Sequence, residues 1–407
     1  MIKFFKNSIL IIRSLLIFKN LRPFLIAANS SWYINHYRSS LLDEIKNKWG
    51  PPISLSPIDE ASKKLEQKTF FIPWNTSRAS DANPISLIIA LIKILFLVRA
   101  LKPSLIHSHT LKANLLISIA SSFFGIRTVL SFAGLGKFSG CKGFKKFYFL
   151  LIVKSIVVIS KIERVNKFLW RTNEDRTFFI FQNPRDKKLV ENLFSKEQKN
   201  NIYLVPGSGI PLKYFNQKRN QIKKKNPHNF IYCGRLLKSK GILNFVKLAE
   251  LNKEDNFHVY GQIDLSRKDS IQKIDFIRFK NISNLHFHGN KVDPLINKKI
   301  PNKILIVPSE YGEGLPRSIG EALALKISVI ASRKACCETF NKKMIYIVEK
   351  NSIDDYMRAI KLYKKEFDSD KLNLKIEKGY SFSIRNLSEK IIVKQTIQIY
   401  KNLLKVI

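Results

Sequence analysis

Two successive series of short apolar segments run along the chain, and a stretch long enough for a helix separates each segment from the next. The first series lies at 23–31, 104–109, 128–132, 155–160 and 177–183. The second lies at 229–234, 257–261, 285–289, 303–309, 328–332 and 344–349. Strands that alternate with helices form parallel sheets covered by helices on both faces. The pattern therefore predicts an α/β chain with two parallel sheets.

The restart of this pattern near residue 229 predicts two Rossmann-like domains, which suits a length of 407 residues. We place the N-terminal domain at 23–200 and the C-terminal domain at 201–382. The last stretch, 383–407, has the apolar period of a helix. If the two sheets face each other, the carboxyl ends of their strands line one cleft, and open α/β sheets bind ligands there.

The chain carries 71 Lys and Arg residues against 31 Asp and Glu residues, a net charge of +40. Such a charge calls for an anionic partner, which could be nucleic acid, membrane phosphate or an anionic substrate. A compositional bias that leaves many lysines on the surface would give the same count. Charge alone therefore leaves the partner open.

The distribution of the charge favours a membrane. Residues 1–22 interleave short apolar runs with basic residues, which predicts a basic amphipathic leader lying on an anionic membrane surface. Residues 86–102 and 144–154 repeat the combination, although 86–102 could equally be an ordinary buried helix. None of these segments has the length of uninterrupted apolar sequence that a membrane span needs.

The cysteines and histidines do not predict a metal site. The four cysteines include no C-x-x-C pair, which favours a reducing compartment and argues against zinc and against disulfides. Two H-x-H pairs, at 107–109 and 286–288, lie on or beside predicted strands without acidic or thiol partners nearby. We expect no metal and no separate cofactor.

The segment EYGEGLPRSIGEALALKISVIAS at 310–332 places two carboxylates, Glu313 and Glu321, across the start of a predicted helix. Backbone N–H groups near Gly314 and Leu315 would be free to bind an anion. The carboxylate on either side could accept hydrogen bonds from hydroxyl groups. A ligand with phosphate between two polyols, such as a nucleotide-sugar, fits this arrangement. The alternative is an ordinary i,i+4 ion pair of Glu321 with Arg317.

A second candidate site lies at FIYCGRLLKSKGI, 230–242. The predicted strand ends at Gly234, so Arg235 begins the loop at the edge of the sheet, and Lys240 precedes the next helix. A guanidinium and an ammonium group at a helix start can hold a diphosphate.

These segments resemble the retaining glycosyltransferases of family four, which have the two-domain GT-B fold. The 310–332 segment is similar to their E-x7-E motif, and VPGSGIPLKYF (205–215) resembles the start of their C-terminal domain. Upstream, SLIHSHTLKANLL, SFAGLGKF and FIFQNPRDK resemble a bacterial branch that builds O-antigen, capsule and other lipid-linked glycans. The resemblance implies that the C-terminal helix crosses back onto the N-terminal domain.

The resemblance also implies roles for single residues. Arg235 and Lys240 would contact the donor diphosphate, Glu313 the hydroxyls of the donor sugar, and Glu321 the ribose. His109 would lie near the reacting sugar or the acceptor. Further positions on the acceptor side are Gly134, Gly136 and Asn29, the last of which stands where many relatives have a glycine-rich loop.

One departure from the family pattern concerns the end of the motif helix. Lys326 stands where the family usually has glycine. A left-handed conformation at a non-glycine residue costs on the order of 1 kcal/mol. We expect a shifted turn instead.

We interpret the chain as a retaining, metal-independent glycosyltransferase that moves a sugar from a UDP-linked donor to a polyprenyl-diphosphate-linked glycan. It would act in the cytoplasm, peripherally bound to the inner face of the cytoplasmic membrane. One alternative keeps the fold but uses a soluble sugar acceptor. Another is a basic nucleic-acid-binding protein, although no recognisable nucleic-acid-reading motif is present.

Overall fold

The computed structural model describes residues 22–76, 84–135, 147, 149–160, 176–217, 227–264, 267–291, 293–297 and 299–405. The predicted leader lies outside the described residues except for its last residue. So does Gly136.

Seven parallel strands form the first sheet. They are β1 (Phe24–Ala27), β2 (Ile53–Ser56), β3 (Phe70–Pro73), β4 (Leu105–His109), β5 (Thr128–Phe132), β6 (Thr177–Phe181) and β7 (Ile202–Leu204). The spatial order is β3-β2-β1-β4-β5-β6-β7. The crossover between β3 and β4 returns the chain to the centre of the sheet, so the topological switch lies between β1 and β4.

Helices cover both faces of this sheet, because successive strand residues point to opposite sides. On one face Leu25 and Ala27 pack beneath α4 (Pro84–Leu101), α5 (Leu111–Phe124) and α6 (149–160). On the other face Phe24 and Ile26 pack with α1 (Ser31–Tyr37) and α2 (Ser39–Trp49). The short helices α3 (Ser62–Glu66), α7 (Pro184–Val190) and α8 (Lys196–Lys199) complete this half.

Six parallel strands form the second sheet, in the order β10-β9-β8-β11-β12-β13. They are β8 (Asn229–Cys233), β9 (Asn256–Tyr260), β10 (Leu285–Phe287), β11 (Lys303–Val307), β12 (Ser328–Ser332) and β13 (Tyr346–Val348). The surrounding helices are α9 (Leu212–Phe215), α10 (Ile242–Leu251), α11 (Lys273–Lys280), α12 (Arg317–Ala324), α13 (Arg333–Cys336), α14 (Ile353–Glu366) and α15 (Asp370–Asn386). Both predicted sheets are therefore present.

The last helix, α16 (Glu389–Lys405), returns to the N-terminal half and packs on α2. Its Tyr400 is fully buried and shares a hydrogen bond with His107 of β4. The predicted crossing of the C-terminal segment is confirmed. The predicted helical stretch from 383 is interrupted at Leu387 and Ser388, where α15 ends and α16 begins.

Two predictions about the first half were wrong. SIVVIS at 155–160, predicted as a strand, is the last part of α6, because a short run of buried β-branched residues does not distinguish a strand from a buried helix segment. The sheet also extends past residue 200, where we ended the domain, because β7 pairs with β6. The strands β2 and β3, each of four residues, were missed.

No helix among the described residues is long and apolar enough to cross a membrane.

Candidate active site

The E-x7-E segment connects β11 to α12 at the carboxyl edge of the second sheet. Pro316 precedes the helix, and its carbonyl accepts the N–H groups of Ile319 and Gly320 at 3.1 and 3.4 Å. The helix therefore begins between the two carboxylates, as predicted. Glu313 lies in the loop before the helix, and Glu321 lies inside the helix.

Glu313 and Lys240 form the central ion pair of this loop. The Lys240 ammonium donates to both carboxylate oxygens at 2.6 and 2.7 Å, and the Ser309 hydroxyl donates to one of them at 2.9 Å. The two charged side chains are only 23% and 13% exposed. Burial opposes the charge on Lys240, but the carboxylate of Glu313 outweighs it, so the pKa of the lysine is raised.

The close approach of two loops brings Lys240 to Glu313. Gly241 ends the short 3-10 turn Lys238–Lys240 with φ of 77° and directly precedes α10. A Cβ at this position would lie 1.9 Å from the carbonyl oxygen of Pro308. Only glycine allows this contact, which holds the 238–240 turn against the end of β11.

Arg235 occupies the predicted loop but is more loosely held. Its guanidinium lies 3.4 Å from Asp264, and its side chain is 47% exposed. Gly234, which precedes it, is half-buried at the end of β8. The arginine is therefore free to exchange its partner at little cost, since exposed ion pairs contribute little to stability.

Glu321 forms the i,i+4 pair with Arg317 that we considered as an alternative, at 2.8 Å. The pair is not on the surface, since the side chains are 17% and 14% exposed. Burial raises the pKa of the Glu321 carboxyl, although Arg317 opposes this rise. Arg317 also donates to the backbone carbonyl of His36 at 3.1 Å and lies over the ring of Tyr37, so it joins the two halves.

The two halves of the chain also touch at the Glu313 loop. A Cβ at Gly134 would lie 2.6 Å from the Cα of Gly314, so this contact requires glycine at 134. The side-chain amide of Asn183 donates to the Gly314 carbonyl at 2.6 Å and to Asp186 at 2.9 Å. Asp186 in turn accepts the N–H of Leu135 at 2.8 Å. The predicted acceptor loop and the predicted donor loop are therefore in contact across a closed cleft.

Comparison with known proteins identifies the half that carries this loop. Residues 214–404 match the family model described as glycosyl transferases group 1. We call this matched stretch the group 1 domain. The Lys240–Glu313 pair lies within it.

The relatives are distant in sequence. The chain is 23% identical over 328 residues to the capsular polysaccharide biosynthesis glycosyltransferase CapM of Staphylococcus aureus, covering 78% of this chain and 81% of CapM. A glycosyltransferase from Rickettsia africae superposes with a TM-score of 0.70 at 19% identity, over 95% of this chain and 99% of that one. Anabaena HepE in complex with UDP gives 0.71 at 13%, over 93% and 100%. The predicted GT-B architecture is confirmed.

His109 lies opposite the group 1 domain. It ends β4, and its ring is fully buried. Its ring centroid lies 4.0 Å from that of His107 and 5.5 Å from that of Tyr33. Burial lowers the pKa of His109 well below its usual value, so the ring is neutral near pH 7. Tyr33 of α1 lies against this ring, and the role of His109 beside the sugar stays a prediction.

The polar atoms around His109 are incompletely paired. Neither ring nitrogen of His109 has a hydrogen-bond partner within the described residues, and neither has the Nε of Arg38. Arg38 is itself 6% exposed and donates to the Tyr33 hydroxyl at 2.9 Å. Buried polar atoms of this kind are uncommon and call for a functional explanation.

Asn29 lies in the loop after β1, half-buried. Ser30 caps α1 by accepting the N–H of Tyr33 at 3.3 Å, and its hydroxyl donates to Asp59 at 2.9 Å. Leu315 covers Gly207, since a Cβ on that glycine would lie 2.8 Å from the leucine side chain. These positions support the loops beside the group 1 domain and hold no charged group.

Lys326 corrects another prediction. It adopts the left-handed conformation with φ of 57°, and no shifted turn occurs. Its ammonium pairs with Glu377 at 2.8 Å and lies 4.5 Å from the ring centroid of Tyr380. These contacts of the long side chain offset the backbone cost, and a glycine could not make them.

Sequence reasoning missed the roles of Asn183 and Asp186. Asn183 caps α7, and its side chain accepts from the Asp186 N–H at 2.7 Å. Burial raises the pKa of the Asp186 carboxyl, against the hydrogen bond from Leu135. An Asn-Pro-x-Asp sequence signals a helix start. It does not signal the contact with Gly314 in the other half.

A cavity of about 360 Å³ also went unpredicted. It opens at the ends of β9 and β10 and is lined by Tyr260, His288, Lys291, Asp293, Pro294, Ile296 and Asn297. Asp293 accepts from the Tyr214 hydroxyl at 2.6 Å. The cavity therefore lies on the same edge of the group 1 domain as Gly234 and Arg235.

Within the described residues, no three His, Cys, Asp or Glu side chains are grouped closely enough to hold a metal ion.

Proposed function

We propose that the chain transfers a hexosyl or N-acetylhexosaminyl group, with retention, from a UDP-linked donor to a polyprenyl-diphosphate-linked glycan. The product would be a surface polysaccharide such as O-antigen, lipopolysaccharide or capsule. The reaction needs neither a metal nor a cofactor, because side chains and backbone N–H groups neutralise the leaving diphosphate. The enzyme works peripherally at the inner face of the cytoplasmic membrane.

The observation that carries this proposal is the Lys240–Glu313 pair at the mouth of the closed cleft. A cation, a carboxylate and a helix start lie together there, and Gly134 approaches from the other half. A nucleotide-sugar suits these three groups, since its diphosphate is anionic and its sugar presents hydroxyls. The pair keeps both charges in place before the donor binds.

Donor binding exchanges the partners of these groups. Lys240 turns from Glu313 to the diphosphate, and Glu313 then accepts hydrogen bonds from the hydroxyls of the donor sugar. Arg235 releases Asp264, 3.4 Å away, and contacts the same diphosphate. As the glycosidic C–O bond breaks, negative charge develops on the leaving phosphate, and both cations stabilise it.

The nucleoside has its own place in this scheme. Glu321 binds the ribose, and the cavity beside Tyr260 and Asp293 receives the base. Glu321 and Arg317 are held as a pair before binding, so the carboxylate is already oriented. The structure of Anabaena HepE with UDP-glucose supports a UDP-linked donor.

We infer transfer on the front face of the donor sugar. The acceptor hydroxyl attacks the anomeric carbon from the side of the departing phosphate, which accepts the proton of that hydroxyl. His109, neutral and with unpaired ring nitrogens, lies on the acceptor side of this step and offers hydrogen bonds to the sugar. The likeness to CapM, named as a capsular polysaccharide glycosyltransferase, supports a glycan acceptor.

A donor panel tests the proposal. The purified protein in detergent is incubated with a short polyprenyl-diphosphate sugar and a series of UDP- and GDP-linked sugars, and nucleotide release is measured. We expect release from one UDP-sugar only, dependent on the acceptor and unchanged by EDTA. NMR of the product should show that the transferred sugar keeps the anomeric configuration that it has in the donor.

Other outcomes lead elsewhere. Transfer to a free sugar without the lipid would replace the lipid-linked acceptor by a soluble one. Loss of activity with EDTA would contradict metal independence. Absence of UDP and GDP binding, together with salt-dependent binding of nucleic acid with a sequence preference, would favour the nucleic-acid alternative.

A further inference from the structure

The outer face of α4 carries a continuous stripe of large apolar side chains. Ile85, Ile88, Ile89, Ile92 and Phe96 are between 56% and 63% exposed. Their spacing of three and four residues places them along one side of the helix. The opposite side of the same helix is buried in the core of the N-terminal half. The helix is therefore apolar on both sides, and the large side chains of its outer side are mostly exposed.

The neighbouring helices extend this surface. Helices α4 and α5 pack on each other, and the Ser122 hydroxyl of α5 bonds to the carbonyl of Ile159 in α6. All three helices lie on the same face of the first sheet. Four more large apolar residues on them or beside them are 43% to 66% exposed: Phe123, Phe147, Leu151 and Val158. We call this outer surface of α4, α5 and α6 the three-helix face.

The charged residues of the segment that contains these helices are all basic. Residues 82–162 contain no Asp or Glu and eleven Lys and Arg residues. Arg99, Lys102 and Lys154 are exposed on the helices of the three-helix face or directly after them. Long basic side chains can keep their charge in the headgroup region while their stems lie along apolar surface.

The other face of the same sheet provides a contrast. There α16 packs on α2, and its Ile392, Ile399 and Leu403 are at most 4% exposed. That side is covered by the chain itself. The exposed apolar stripe is thus a property of the three-helix face and not of the whole domain.

We propose that the three-helix face docks on an anionic lipid bilayer, with the α4 stripe inserted at the interface. Apolar and aromatic side chains flanked by cations without carboxylates suit a surface of acyl chains and anionic headgroups. A basic region without carboxylates favours an anionic lipid surface over a basic or neutral protein partner. We therefore assign the lipid bilayer as the occupant.

The position of the stripe fits the lipid-linked acceptor proposed above. Helix α4 follows β3, so Ile85 lies near the carboxyl edge of the first sheet, where the cleft opens. Docking by this stripe brings the cleft to the membrane surface. This part of the inference rests on the proposed function, whereas bilayer binding is measured without donor or acceptor.

Vesicle sedimentation of the full chain tests the surface. The vesicles contain phosphatidylcholine alone or with 30% phosphatidylglycerol (about the anionic fraction at which electrostatic attraction is strong). The variant I89Q/I92Q removes two side chains of the stripe that are 61% and 62% exposed. The matched control is I274Q/I277Q, two isoleucines on α11 that are 71% and 60% exposed in the other half.

We expect the wild type and the control to bind anionic vesicles equally and to lose binding at high salt. The I89Q/I92Q variant should bind at least about tenfold more weakly, because its partition loses the burial of two isoleucines. Equal binding of both variants, or no vesicle binding by the wild type, would overturn the proposal.

A second measurement reports insertion directly. Ile92→Trp and Ile277→Trp are compared for fluorescence quenching by brominated lipids, against the same four native tryptophans. We expect additional quenching only for Ile92→Trp. Binding without this quenching would assign the membrane contact to residues 1–21 or another segment. Concentration-dependent dimerisation that I89Q/I92Q abolishes, without quenching, would assign the stripe to a second copy of the chain.

These results are separable from those of the donor panel. Sugar transfer in detergent without vesicle binding through the three-helix face would contradict only the proposed docking surface. An enzyme that binds vesicles through α4 but releases no nucleotide contradicts only the proposed reaction.

Discussion

The two edges of the cleft arrange their polar groups in opposite ways. On the C-terminal edge the cations of the motifs already have carboxylate partners. Lys240 is 2.6 Å from Glu313, and Arg317 is 2.8 Å from Glu321. These partly buried charges are balanced within the chain, so an ionic ligand can replace the carboxylate partner of a cation without leaving that cation unpaired. This edge therefore suits an ionic ligand.

The N-terminal edge holds neutral and incompletely paired groups. His107 and His109 are both buried, and burial lowers the pKa of each well below the usual value. His107 has partners for both ring nitrogens, namely the hydroxyls of Tyr400 and Ser131, whereas His109 has none within the described residues. In the proposed reaction, His107 is structural and the ring nitrogens of His109 bind the sugar.

The largest effect should come from the charged edge. Lys240→Met removes a cation that contacts the leaving diphosphate, and we expect kcat/KM to fall by about 10³ in the nucleotide-release assay. Lys247→Met, an exposed lysine on α10 paired with Glu250, is the control and should stay within about twofold of wild type.

Loss of folding is a competing explanation for Lys240→Met, because the change strands the Glu313 carboxylate. The double variant K240M/E313Q removes that charge as well. We expect it to recover thermal stability but not activity. Recovery of turnover in the double variant would show that Lys240 serves only to neutralise Glu313.

A smaller effect should separate the two histidines of the neutral edge. His109→Asn should lower kcat by about 10- to 100-fold with little loss of stability, because no partner within the described residues loses a bond. His107→Asn should instead lower the free energy of unfolding by about 1–3 kcal/mol, since the groups it binds are left unpaired. Denaturant titrations and initial rates of both variants test this difference between the two histidines. Equal effects of the two substitutions on stability and on kcat would contradict it.

The smallest effect concerns acid stability. Burial lowers the pKa of His109 in the folded state. The contribution of this residue to the free energy of unfolding is therefore fully present above pH 6.5 and is lost as the pH falls towards the folded pKa. Between these two pH values His109 binds a proton in the unfolded state but not in the folded state. The free energy of unfolding should fall about 1.4 kcal/mol less steeply per pH unit in His109→Asn than in wild type. Parallel curves between pH 6.5 and 5 would mean that the ring is accessible to protons in the folded protein.

Much of the fold was readable from the order of apolar segments. Both sheets, the helix start between Glu313 and Glu321, and the return of the last helix agree with the prediction. The misplaced element, 155–160, failed because local apolar composition is shared by strands and buried helices. The absence of carboxylates in residues 82–162 is visible in the sequence, but the sequence does not show which apolar side chains of α4 face outward.

The sequence by itself determined which charged residues stand at the ends of which strands, because strand ends and helix starts follow from local patterns. It placed Arg235, Lys240, Glu313 and Glu321 at one edge of the second sheet. Only the tertiary structure decided their partners. Lys240 meets Glu313 although 73 residues separate them.

The same holds for the contact between the halves. Asn183 reaches Gly314 across 131 residues, and His109 is buried beside Tyr33 of α1, a helix from an earlier part of the chain. Local propensity fixes where an element begins and which way its side chains alternate. Pairing, burial and the pKa values that follow depend on which elements pack together, and packing is a property of the whole chain.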